Sequence, residues 1–102
     1  MITAFDALAD PTRRRILERL RTSGTLSLSQ VARGLPITRQ AVTKHLDALA
    51  AAGLVRVQRA GRERLHALDA EPLRQVSEWL APYEAEWDRR LSRLRRHLEE
   101  EA

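Results

Sequence analysis

Thr38, Arg39, Gln40, Thr43 and Lys44 stand close together in the chain and carry hydrogen-bond donors of the kind that base edges and phosphates accept. An arginine pairs with O6 and N7 of guanine and a glutamine with N6 and N7 of adenine, each pairing discriminating by roughly 1–3 kcal/mol. Thr43 and Lys44 suit phosphates or base edges, contacts that set the register of a protein on a duplex. Thr38 suits both capping a helix and donating to a phosphate. A second group follows: Arg59, Arg62 and Arg64 surround Gly61. Three guanidiniums so close repel one another, and they become favourable beside phosphates or in a narrow minor groove.

These groups work only if secondary structure presents them. At about 100° per residue, Val42, Leu46 and Leu49 fall on one side of a helix, and Gln40, Thr43, Lys44 and Asp47 on the other, with Arg39 beside them. This helix has a packed stripe on one face and donors on the other, as insertion into a major groove requires. Before it, Ser29 to Arg33 reads as a short supporting helix through Val31 and Ala32. Pro36 disfavours a helical Leu35 and cannot donate in a helix interior, so Gly34-Leu35-Pro36-Ile37 is the break. Thr38 is the expected N-cap. After Gly53, residues 54–58 and 64–68 read as two strands of a hairpin turning at Ala60-Gly61. A helix-turn-helix over about 27–53 followed by a basic-tipped hairpin over about 54–68 is a winged helix. His45 points by angle to the packed side of its helix. His66, alternating with Leu65, reads as a surface strand residue.

The flanks complete a single domain over 1–102. Ile2 to Leu8 reads as a short helix with Phe5 and Leu8 on its apolar face. Asp10 is a helix N-cap, and Pro11 sits at the first helical position, where its missing N–H is harmless. That helix should reach about Arg21, with Ile16, Leu17 and Leu20 buried and Ser23-Gly24 as its stop. Arg13, Arg14 and Arg15 on it form a basic run that could touch phosphate. Thr25-Leu26-Ser27 reads as a short edge strand beside the hairpin. From Pro72 the chain is helical over about 72–99. Leu73, Val76, Leu80, Tyr83, Trp87, Leu91, Leu94 and Leu98 recur at intervals of three and four, a coiled-coil-like seam. Pro82 should kink this helix or divide it into 72–81 and 82–99. Part of the seam can fold back on Phe5 and Leu8, and its length implies a second copy of the chain as partner. The fold class expected is therefore mainly α with a small β-hairpin wing, the terminal helices forming a dimer interface.

Composition narrows the function. The 102 residues hold 18 Lys and Arg against 14 Asp and Glu, a formal charge of +4, and the acidic residues crowd the C-terminus at Glu99-Glu100-Glu101. The basic surplus lies mostly over 12–64 and favours a polyanionic partner. The chain has no cysteine, which removes disulfides, thiolate metal sites and cysteine redox sensing. It has no apolar run of membrane-spanning length and no signal-like N-terminus, so a cytoplasmic location is expected. The three histidines are far apart, and nothing resembles a nucleophile–base–acid set or a glycine-rich phosphate loop, so no enzyme and no cofactor is expected.

The run Ala4-Phe5-Asp6-Ala7-Leu8-Ala9-Asp10-Pro11-Thr12-Arg13-Arg14-Arg15-Ile16-Leu17, together with Gln40-Ala41-Val42-Thr43-Lys44-His45-Leu46 through Leu49, and then Ala52-Gly53-Leu54-Val55, resembles the ArsR-type family of bacterial winged-helix repressors. The similarity covers about residues 3 to 68, and the terminal helix fits the family's dimerisation helix. The resemblance implies a homodimer that binds double-stranded DNA at a palindromic operator and represses transcription, commonly of its own operon. It departs at the metal sites. Where metal-responsive members carry a Cys-Val-Cys-like segment, this chain has Leu26-Ser27-Leu28-Ser29, and serine hydroxyls are poor ligands for soft metals. Where a second family site begins with Asp-x-His, this chain reads Asp69-Ala70-Glu71-Pro72. Glu84-x-Glu86 followed by His97-x-x-Glu100 copies that site's spacing but lies too far along the helix and lacks paired histidines. No metal is therefore expected, and the match is to the cysteine-free branch, with no effector named. The alternatives are a winged helix that holds a protein rather than DNA, and metal-responsive repression.

Overall fold

The computed structural model describes residues 3–101. Its elements are α1 (Ala4–Leu8), α2 (Pro11–Ser23), β1 (Leu26–Ser27), α3 (Leu28–Ala32), α4 (Arg39–Ala51), β2 (Val55–Ala60), β3 (Glu63–Leu68) and α5 (Leu73–Glu101). The expected start of the first helix at Ile2 lies outside the described residues. Among those residues no helix is long and apolar enough to cross a membrane.

Local chemistry accounts for the helix starts. The Asp10 carboxylate accepts from the backbone N–H of Thr12 at 2.8 Å and of Arg13 at 3.1 Å, and Pro11 occupies the first turn. Those N–H groups, Arg13 first, hold the Asp10 carboxyl below the usual carboxylate range. Thr3 and Asp6 form a reciprocal capping box on α1, as do Ser27 and Gln30 on α3. The stop of α4 is equally defined. Leu54 N–H donates to Leu49 O at 2.9 Å and Gly53 N–H to Ala50 O at 3.0 Å, a Schellman closure in which Gly53 takes φ +78°. Leu49 and Leu54, the residues it brings together, are both fully buried.

Five elements meet around that closure. Ile16, Leu17 and Leu20 of α2, Val31 of α3, and Val42, Leu46 and Leu49 of α4 form one buried cluster with Leu54, Val55 and, from α1, Ala4 and Ala7. Burying a side chain of the leucine or isoleucine class is worth about 1.5–3 kcal/mol, so this cluster fixes how α4 lies against α2 and α3. The sheet is antiparallel in the order β1-β3-β2. Leu26 pairs with His66 and Ser27 with Leu65, so the short edge strand expected at residues 25–27 forms. Gly61 and Arg62 make a two-residue loop closed by the Ala60–Glu63 pair, with Gly61 at φ +64° in the first position. The turn thus sits one residue later than expected, because both strands run longer than their apolar positions suggested.

Two expectations are corrected. Of the kink or division expected at Pro82, the division is corrected: α5 is continuous from Leu73 to Glu101. Helix formers fill both flanks of Pro82, and residue 78, whose carbonyl loses an N–H partner, is exposed so that water reaches it. His66 is not a surface residue but only 6% exposed. Its face of β3 turns toward the helices, whereas Leu65 on the other face is half-buried.

At 1.5 Å per residue α5 is roughly 43 Å long, and it gives the chain its extents of 65 × 29 × 20 Å. Leu73 and Val76 pack on the core, and Phe5 of α1 meets Trp79 edge-on with ring centroids 6.0 Å apart. Beyond them α5 leaves the body of the chain and buries no residue fully.

Candidate nucleic-acid interface

The buried side of α4 is Val42, Leu46 and Leu49, so the opposite side is free. Gln40 and Lys44 are exposed on it, Arg39 is exposed at the edge toward α3, and Thr43 is half-buried beside them. Thr38 caps the helix: its Oγ1 accepts from Ala41 N–H at 3.1 Å. Thr43 Oγ1 donates to the Arg39 carbonyl at 3.0 Å, and Arg39 Nη2 donates to Ser29 Oγ on α3. The Ser29 contact holds the Arg39 guanidinium at the seam between the two helices of the helix-turn-helix, so less rotamer freedom remains to be lost on binding.

The wing stands on the same side. Arg59 on β2, Arg62 in the turn and Arg64 on β3 are exposed, and they share with Thr43 and Asp47 of α4 the walls of a groove of about 360 Å³. Arg59 and Arg64 are directly paired across the strands. Like charges so placed repel, a cost that a polyanion relieves. The structure thus carries Thr38, Arg39, Gln40, Thr43 and Lys44 at α4 or its cap and the three arginines on the wing, with a groove between the two elements that Thr43 and the wing arginines line. What the residue pattern did not reveal is that Ser27, Ser29 and His66 also line that groove. For His66 the only signal was the alternation Arg64, His66, Leu68, which matches Leu68 to the apolar face.

The other basic run does different work. Arg14 Nη1 donates to Leu8 O at 2.6 Å and Arg13 Nη1 to Asp6 O at 3.2 Å, which satisfies carbonyls at the end of α1. Arg13 Nε also reaches Nδ1 of the half-buried His45 at 3.4 Å, so His45 packs behind the reading face. Arg19 Nη1 donates to Val31 O and Arg33 O, each at 2.6 Å, and closes the end of α3. Only Arg15 of the triplet is without such a bond to a described residue. These arginines hold helix ends in place.

The residues expected at a dimer interface fall into two groups. Leu8, Leu73 and Val76 pack against this chain's own core, and Leu80 is half-buried. Phe5, Tyr83, Trp87, Leu91 and Leu94 are between 44% and 62% exposed, as is Leu98. On α5, Tyr83, Trp87, Leu91, Leu94 and Leu98 continue the seam past the last contact with the core. A contiguous apolar stripe of this length is what a protein partner covers. The metal-like spacing further along α5 is occupied differently: His97 Nε2 lies 3.0 Å from Glu101 Oε1 on the helix surface.

Comparison with known proteins agrees with this geometry. A helix-turn-helix domain family matches residues 8–58, from the end of α1 into β2. The chain is 48% identical over 66 residues to the HTH-type transcriptional regulator Rv2034 of Mycobacterium tuberculosis, covering 65% of this chain and 61% of that protein's length. It is 41% identical over 78 residues to YuzN of Bacillus subtilis, an uncharacterized HTH-type transcriptional regulator, covering 71% of this chain and 85% of the relative. Among solved structures, the ArsR family transcriptional regulator RHA00566 superposes with a TM-score of 0.72 at 37% identity, over 82% of this chain and 86% of its own. An ArsR-like regulator from Rhodococcus sp. RHA1 does so with a TM-score of 0.66 at 43% identity, over 88% and 84%.

Proposed function

The chain belongs to the ArsR-type family of winged helix-turn-helix transcriptional regulators, which are not enzymes, and from that premise we propose that it acts in the cytoplasm as a homodimeric repressor on a palindromic operator. The observation that carries this reading is the shared orientation of two donor sets. Arg39, Gln40 and Lys44 are exposed on α4, and the arginines of the wing share a groove with Thr43 and Asp47 of the same helix. In this reading α4 enters the major groove, Arg39 and Gln40 read bases, Thr38, Thr43 and Lys44 set the register, and Arg59, Arg62 and Arg64 engage the flanking backbone or minor groove.

The exposed stripe of α5 supports the dimer. A half-site gives one recognition helix few base contacts, and joining two copies makes the second contact intramolecular, which raises affinity without new chemistry. Two-fold pairing of α5, with Phe5 of α1 alongside, would cover Tyr83, Trp87, Leu91 and Leu94 and set the spacing of the two α4 helices. Repression of its own operon is the simplest regulatory circuit for such a dimer.

The test is selection of bound duplexes from a random-sequence library, followed by footprinting of the chain's own promoter. The expected result is an inverted repeat with half-sites about one helical turn apart, protected on the promoter at moderate salt. Arg39→Ala should then relax the preference at one position of each half-site. Enrichment of no sequence, or of a single asymmetric site, would overturn the proposal.

A further inference from the structure

The groove between α4 and the wing contains one group that the DNA-binding reading has not used. Along the ribbon face that lines it, the cross-strand pairs run from Val55 and Leu68 through Val57 and His66 to Arg59 and Arg64. The face passes from core to cation, and His66 sits at the boundary, 6% exposed. Its Nδ1 lies 3.2 Å from the Leu26 carbonyl oxygen. A carbonyl only accepts, so Nδ1 directs its proton at Leu26 and Nε2 is the nitrogen left open. Nε2 makes no hydrogen bond to any described residue, and no buried side-chain nitrogen or oxygen among those residues lacks a partner. Nε2 is therefore reached from the groove, which His66 lines.

The charged groups that line the groove with it are Asp47 from α4, Arg59 from β2, Arg62 from the turn, and Glu63 and Arg64 from β3. From α3 and β1 come only the hydroxyls of Ser29 and Ser27 and the side chain of Leu28. Three cations against two carboxylates leave a net +1, which becomes +2 when the imidazole is protonated. With the neutral ring, Nε2 presents a lone pair that repels an oxyanion; with the charged ring it presents an N–H that donates to one.

We propose that this groove seats one backbone phosphate of the bound duplex, held by His66 Nε2–H beside Arg59 and Arg64, so that DNA binding takes up a proton at His66. The inference rests on the DNA-binding reading above. A duplex that meets the exposed donors of α4 on one side and Arg62 on the other carries its phosphates past the mouth of the groove, which Thr43 and Asp47 wall on the α4 side. That favours a phosphodiester over a free anion as the occupant. The proton balance is simple: binding shifts one ring per protomer toward the imidazolium, and the proton comes from solvent.

The experiment measures Kd by fluorescence anisotropy for the full chain and a library-selected duplex, at fixed ionic strength between about pH 6 and pH 8. Kd is expected to rise about tenfold across that range, whereas His66→Gln should hold it constant within about twofold. His45→Gln and His97→Gln should keep the wild-type dependence. Should His66→Gln fail to fold, titration calorimetry of the wild-type chain in two buffers of different ionisation enthalpy reads proton uptake without any mutation. An NMR titration of the His66 ring with the duplex and with inorganic phosphate separates the two sources of phosphate. Tight binding with no pH dependence or no proton uptake overturns the proposal, as does a ring that responds to inorganic phosphate and not to the duplex. Absence of binding to any duplex at any pH would instead overturn the parent reading.

Discussion

Replacing Arg62 with alanine isolates the electrostatic part of DNA binding. Arg62 is exposed in the two-residue wing turn and forms no ion pair with a described residue, so its loss leaves no buried charge behind. The conformation of the turn is set by Gly61, not by Arg62, so the hairpin should persist. Each phosphate neutralised contributes about −0.9 to the slope of log affinity against log salt, and a two-fold dimer carries two wings, so Arg62→Ala should make the slope shallower by about 1.8. Across a fourfold rise in salt, for example from about 50 to 200 mM, that amounts to roughly twelvefold less weakening than the wild-type protein suffers. Anisotropy titrations of both proteins on the same labelled operator across that range read the slope directly. The sequence preference should be unchanged, since a phosphate contact carries no base information. A change near 0.9 would mean that one wing per complex touches the backbone. Parallel slopes for variant and wild type would refute the placement of the wing on DNA.

Further expectations follow from other parts of the structure. Leu91→Glu with Leu94→Glu alters side chains that are 62% and 53% exposed in the single chain, so folding should survive while the dimer dissociates. Sedimentation would then fall from twice the 11.6 kDa chain mass to one chain, and operator affinity would drop by at least about 10²-fold with loss of avidity. Gly53→Ala meets only ordinary contact, the added Cβ lying 3.4 Å from Pro72 Cγ, but it forces alanine to φ +78°. The cost should be about 1–2 kcal/mol, read as a fall in Tm of roughly 4–8 °C per kcal/mol in thermal unfolding. Asp10 has its carboxyl held below the ordinary 3.8 mainly by the Arg13 backbone N–H. A group with a depressed folded value stabilises above its unfolded value and loses that contribution as pH falls through the folded one. Asp10→Asn, which keeps the cap but cannot titrate, should therefore flatten the decline of stability below about pH 4 in acid denaturation.

How much of this was legible in the residues depends on how local the governing interaction is. Asp10-Pro11 and Thr38 announce helix starts because a cap is satisfied within three residues, and the structure places bonds at both. The face of α4 was legible for a related reason: helical periodicity over Val42, Leu46 and Leu49 leaves Gln40 and Lys44 no place but the outside. Gly53 declares the end of α4 because the closing turn needs positive φ. The seam of α5 was legible as a stripe. Its division between this chain's core and an open surface was not, since that depends on how far α1 and the core reach along it.

By itself, then, the sequence determined where helices begin and end, which face of the recognition helix is free, and that the hairpin tip is cationic. Tertiary structure alone decided that α5 runs unbroken through Pro82, that Arg13 and Arg14 hold the end of α1, and that His66 faces inward. The physical reason is that periodicity and capping act within a turn or two of chain, whereas the facing of a strand is set by its register. A slip of one residue between β2 and β3 would exchange His66 for Leu65, and that choice is made by pairing with β1 and by the core against which Val55 and Leu68 pack.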